Sequence, residues 1–159
     1  RVLPRWFEEG LAERIGGGIT IIAGARFEIA AAHDRLLRFE DLTHAFPADA
    51  ERADLAYQQS QRFVAHLIEH AGWRAVQATL TALLAQEGPV EPSVALDAAL
   101  RAATVQDLGA WIADWRHSLL ERRSRWWLWM FTDLGGVLLA VMAVLAAGLF
   151  AGLRRRQSC

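Results

Sequence analysis

Apolar residues recur along this chain at three- and four-residue spacing, the period of a helix, and nowhere at the alternate spacing of a half-buried strand. The clearest run is Phe63, Val64, Leu67, Ile68 and Ala71. Together they lay a wide stripe along a helix that should open at Asp49 or Ala50, reach Ala71 and stop at Gly72 as its C′ residue. Val76, Leu80, Leu83 and Leu84 repeat the pattern in a helix over 73–85, ended by Gly88-Pro89. Val94, Leu96, Ala99 and Leu100 predict a shorter helix capped by Ser93. Leu108, Trp111, Ile112, Trp115 and Leu119 predict another, with Thr104 and Asp107 spaced like a capping box.

Upstream of residue 49 the pattern is more broken. Pro4 suits the first turn of a helix, where its missing N–H costs nothing. Glu8 and Glu9 follow where the positive end of the helix dipole favours carboxylates. That helix should run to Ile15 and yield at Gly16-Gly17-Gly18, since glycine loses the most backbone freedom in a helix. Ile19 to Ala23 reads as a brief strand or a buried extended linker. Ala25 to Leu37 then reads as a helix with Phe27, Ala30, Ala31 and Leu37 inward, and 39–46 as a short helix stopped by Pro47. The fold class expected from the pattern is all-α.

The last quarter of the chain differs in kind. Residues 134–153 are twenty consecutive positions without a charge. At about 1.5 Å per residue they reach about 30 Å, the hydrocarbon thickness of a bilayer. Trp126, Trp127 and Trp129 precede the run as an interfacial belt would, and Arg154, Arg155 and Arg156 follow it at once. We therefore expect a helical domain over 1–121, an interfacial linker over 122–133, a single transmembrane helix over 134–153 and a basic tail over 154–159. Asp133 sits at the boundary, where it stays hydrated, and takes no transport role. The positive-inside rule would place Arg154 to Arg156 in the cytoplasm, but Arg116, Arg122, Arg123 and Arg125 precede the span, so charge barely decides the orientation.

Composition adds limits. Hydrophobic residues make up 53% of the chain, and most of the excess over an ordinary globular composition lies near the C-terminus. A formal net charge of −1 sets up no field that recruits nucleic acid. One cysteine, Cys159, excludes an internal disulfide. The chain begins at Arg1, without an initiator Met or a signal-peptide pattern.

Two segments carry chemistry through resemblance. Trp6-Phe7-Glu8-Glu9-Gly10-Leu11-Ala12 is similar to the W-[LF]-x-E-G-[LF]-A segment of the peptidase MA-like (gluzincin) zinc metallopeptidases. The resemblance implies Zn2+ as cofactor and Glu9 as its third protein ligand. It also implies that the helical domain lies outside the cytoplasm. The other two ligands and the general base belong, in that family, to an H-E-x-x-H helix earlier in the chain, a motif this sequence does not contain. The chain is accordingly expected to be the C-terminal portion of a gluzincin-type domain, and inactive by itself. Ala56-Tyr57-Gln58-Gln59-Ser60, followed by Phe63-Val64, resembles the family's A-Y-x-Q-S-x-x-F-V segment. In aminopeptidase relatives a tyrosine in this place steadies the oxyanion, which implies that role for Tyr57, the chain's one tyrosine. The similarity extends from about Leu3 to about Leu119, loosely in its later helices.

Read without the resemblance, Pro4 to Ile15 is an amphipathic helix with an acidic start, and Tyr57 is a half-buried residue on a helix face. His66-Leu67-Ile68-Glu69-His70 has the H-x-x-E-H spacing of inverted zincins, and two His at i and i+4 share a face that can chelate a metal. The gluzincin family has an ordinary helix end in this place. His33, His44 and His117 are isolated, and Glu8 and Glu13 flank Glu9 as solvent-facing or supporting groups. The function expected from these readings is a membrane-anchored zinc metallopeptidase. Its partners would be a peptide or protein substrate and, through the C-terminal helix, the lipid bilayer. The alternatives are a non-catalytic membrane-tethered helical binding module and a hydrolase built on His66, Glu69 and His70.

Overall fold

The computed structural model describes residues 3–16 and 21–122. All regular structure among them is helical: α1 (Arg5–Gly16), α2 (Ile21–Ala32), α3 (Ala50–Ala71), α4 (Trp73–Leu84), α5 (Pro92–Thr104) and α6 (108–122). The chain divides into one compact unit over Arg1–Leu119 and a second over Leu120–Cys159. Most of the second, including the apolar run at 134–153, lies outside the described residues, among which no helix is long and apolar enough to cross a membrane.

Helix α3 is the centre of the first unit, with α1 packed on it most extensively and α2 and α4 against it, while α4 pairs with α5. Its ends follow local chemistry. Asp49 accepts a hydrogen bond from the Arg52 N–H at 2.8 Å, closing one of the four donors a helix start leaves open. Gly72 stops it at φ 84°, ψ 154°, a region essentially reserved for glycine, and donates its N–H to the Ile68 carbonyl. The same residue opens α4, so one glycine makes the corner between two helices.

The core is aromatic. Trp6 packs on Phe39 and Phe63 at 4.7 and 5.4 Å between ring centroids, and Trp115 of α6 closes on Phe63 and Phe39 at 5.5 and 5.8 Å. Phe27 joins from α2 at 6.2 Å from Trp115. Tilted and edge-on pairs at these distances add about 0.5–1.5 kcal/mol each beyond area burial. Phe7, Leu42, Val64, Leu67, Val76, Leu83, Leu96 and Leu100 complete the buried cluster.

Several local expectations are corrected. Residues 21–23 are not extended but begin α2, and Gly24 lies within that helix. One interior glycine costs about 1 kcal/mol relative to alanine, a penalty that tertiary contact can outweigh. Helix α2 stops at Ala32 rather than Leu37: Asp34 turns left-handed at φ 53°, and the Arg35 N–H returns to the Ala30 carbonyl at 2.8 Å, a Schellman-type closure. Residues 39–44 form successive turns closed by i→i−3 hydrogen bonds rather than a helix, and the Thr43 carbonyl, which Pro47 has no N–H to serve, accepts from the Arg5 N–H at 2.8 Å at the start of α1. Glu91, not Ser93, caps α5, accepting from the Val94 N–H at 3.0 Å with Pro92 at the first helical position. Ser93 instead shares a hydrogen bond with Thr43 at 2.9 Å. Likewise Thr104 ends α5, and Asp107 alone caps α6 by accepting from the Ala110 N–H at 2.7 Å. Leu84 and Val94, expected inside, are exposed.

Candidate functional site

Helices α1 and α3, which carry the two resembling segments, cross backbone to backbone. A Cβ added at Gly10 would lie 2.5 Å from the Ser60 carbonyl oxygen and 3.0 Å from Val64 Cγ2. Only glycine lets the two backbones touch here. Around that point the residues of both resembling segments divide into two groups. Trp6, Phe7, Ala56 and Ser60 are fully buried, and Gln59 is buried as well while holding both backbone groups of Leu37 through its amide, at 2.9 and 2.8 Å. Packing accounts for all of these.

Glu9 and Tyr57 belong to the second group. Neither enters the core, and both are half-buried. Glu9 precedes the contact glycine on α1, and Tyr57 stands one turn before Ser60 on α3. Two residues bridge them. Arg5 Nε lies 3.4 Å from Glu9 Oε1, one turn back along α1, and the side chain of Glu9 keeps 27% of its exposure. The Arg5 guanidinium carbon sits 5.4 Å from the centre of the Phe46 ring. Phe46 in turn meets Tyr57 edge-on, at 4.8 Å and 77° between rings. Glu9, Arg5, Phe46 and Tyr57 thus form a continuous chain of side chains along one flank of the crossing. Arg5 Nε is buried without an aligned hydrogen bond, although it is within ion-pair reach of Glu9. Farther along α3, Gln61 donates to the Glu13 carbonyl at 3.4 Å, and the amide oxygens of Gln58 and Gln61 are buried and unpartnered.

Arg5 and Phe46 carry no sequence motif. The i,i+4 spacing of Arg5 and Glu9 was the one readable signal for the pair. Phe46 becomes a neighbour of Tyr57 only because the 39–46 stretch turns rather than forming a helix.

The H-x-x-E-H stretch resolves differently. His66 is 5% exposed and its Nε2 lies 3.0 Å from Asp114 Oδ2 of α6. Its ring packs 4.2 Å from that of His70 and 6.1 Å from that of Trp111. Burial holds its pKa below the ordinary 6.5; the hydrogen bond to Asp114 opposes that shift and the charge of His70 adds to it. No group of three or more His, Cys, Asp or Glu side chains among the described residues is placed to hold a metal ion. Among the described residues the H-x-x-E-H stretch thus gathers no metal-holding group, and His66 ties α3 to α6 through Asp114. His33, His44 and His117 are exposed, as is Glu8, while Glu13 is half-buried.

A catalytic zinc needs three protein ligands and an open position. Glu9 fits one corner of such a site: its carboxylate is an oxygen donor of the right kind, part-exposed and unused by the core. The remaining ligands do not come from the described residues. No curated protein and no solved structure matches the chain. Residues 1–121, about three-quarters of it, match the sequence profile of the Peptidase MA superfamily, and the chain belongs to that family.

Proposed function

We propose that this chain is part of a membrane-anchored, zinc-dependent metallopeptidase, with Glu9 as a metal ligand and Tyr57 as a hydrogen-bond donor to the reacting carbonyl. One observation carries the reading. Glu9 and Tyr57, the residues to which the resemblance gives chemical roles, lie on the two helices that meet at Gly10 and Ser60, outside the core, and are joined through Arg5 and Phe46.

In the complete enzyme zinc would supply Lewis-acid polarisation of the scissile carbonyl and an activated water. Glu9 would hold its carboxylate at the edge of α1, fixed by the rigid crossing with α3. Tyr57 would donate its phenolic proton in a hydrogen bond to the charge developing on the carbonyl oxygen. The histidine ligands and general base would come from an H-E-x-x-H helix outside this sequence. The uncharged stretch at 134–153 would anchor the domain to the bilayer, with the peptidase part outside the cytoplasm.

The test uses the full-length protein. Purified in detergent, it should carry one zinc and hydrolyse peptides. Glu9→Ala should lose both the metal and the activity. Tyr57→Phe should retain zinc and lower kcat by about 100-fold, the usual cost of removing one oxyanion donor. Full-length protein with neither zinc nor hydrolysis would overturn the enzyme reading in favour of a tethered binding module.

A further inference from the structure

We propose that Arg5 is a positioning residue for the Glu9 carboxylate, setting the geometry in which Glu9 grips its metal. This rests on the reading of Glu9 as a metal ligand. Three features of the structure point to it. The first is the approach itself: Nε comes within 3.4 Å of Oε1 with both side chains about two-thirds covered. The second is restraint. The guanidinium is set against the Phe46 ring at 5.4 Å, so its long side chain is not free to swing into solvent as a surface arginine does. The third is an unused donor. Arg5 Nε is buried and makes no aligned hydrogen bond, and Glu9 Oε1 is the acceptor within ion-pair reach of it.

An exposed i,i+4 ion pair would be nearly neutral in effect, worth a few tenths of a kcal/mol and less than a threefold change in any affinity. A charged partner that orients a ligating carboxylate belongs to a different scale. Loss of such an outer partner typically weakens metal binding or activity by about 10–100-fold. The half-buried, ring-backed geometry of Arg5 places it in the second class. A planar guanidinium is also specific here, because a lysine ammonium restores the charge but not the fixed fork of donors. The Phe46 ring also meets Tyr57 edge-on.

The experiment measures zinc dissociation constants by chelator competition on the full-length protein, as wild type, Arg5→Ala, Arg5→Lys and Glu9→Ala, with thermal unfolding recorded for each. We expect Arg5→Ala to weaken zinc at least 10-fold while its Tm stays near that of the wild type, and Arg5→Lys to recover part of the loss. Zinc affinity within threefold of wild type in Arg5→Ala, alongside a large loss in Glu9→Ala, would overturn the positioning role and leave the site intact. Unchanged zinc affinity in Glu9→Ala would remove the site itself and the role of Arg5 with it. A loss in Arg5→Ala matched by a fall in Tm, and fully repaired by Arg5→Lys, would reduce Arg5 to a charge that stabilises α1.

Discussion

A single hydrogen atom in place of a methyl group at position 10 decides whether α1 and α3 can meet. The Ser60 carbonyl oxygen is 2.5 Å from where a Cβ would stand, and it belongs to the backbone of the central helix, so it cannot swing aside. Gly10→Ala must push the helices apart or tilt α1. Overpacking of this kind costs about 1–3 kcal/mol, and a backbone obstacle argues for the upper part of that range. Differential scanning calorimetry should show the drop. Gly16→Ala is the control, since nothing lies within 4 Å of a Cβ at that position and its stability should stay within about 0.5 kcal/mol of wild type. Glycine 10 therefore reads as a packing residue, and that separates it from its neighbour Glu9, whose exposure no packing requirement explains.

Between elements, the side chain that does most of the joining is Gln59. Fully buried on α3, it receives the Leu37 N–H and donates to the Leu37 carbonyl, pairing the backbone of the irregular 33–49 segment as a strand partner would. Gln59→Leu keeps roughly the volume but strands two backbone groups. Each unpaired buried group costs about 1–3 kcal/mol, so the variant should lose about 2 kcal/mol or more, seen as a lower urea midpoint at unchanged slope. Cleavage by a protease within 33–49 should rise in parallel. This clamp also explains how much of the fold was legible. Both ends of α3 could be read because Asp49 and Gly72 act on their own helix. The 33–49 segment could not, because its course is set by Gln59, Ser93 and Arg5, partners remote in sequence. The sequence pattern predicts a short helix over 39–46, and that Phe39 and Leu42 are buried in the core emerges only from the turns that carry them. The candidate site shows the same division. Glu9 and Tyr57 stood out through their segments, whereas Phe46 could be found only once the turn was known.

For the whole molecule, the most informative perturbation is acid. His66 sits where α3, α6 and Trp111 converge, buried and with its pKa held below 6.5 chiefly by that burial. The groups facing it are Asp114 from α6, whose carboxylate favours the charged ring, together with His70, which opposes it, and Glu69, which favours it, both on α3. The unfolded chain, with an ordinary histidine, then binds the proton more readily than the folded one. Stability is fully present above the unfolded pKa, declines as pH falls from about 6.5 toward the depressed folded value, and levels off below it. His66→Gln keeps a side chain able to donate to Asp114 but unable to take up a proton. Its Tm should lie below that of the wild type at about pH 8, where the ring packs best, and the gap should narrow steadily toward about pH 5. A gap that widens on acidification would mean that the Asp114 carboxylate outweighs burial and holds the charged ring in place. In that case the tie between α3 and α6 would be a true ion pair, strongest in acid, and the ring's packing against His70 and Trp111 would be secondary to it.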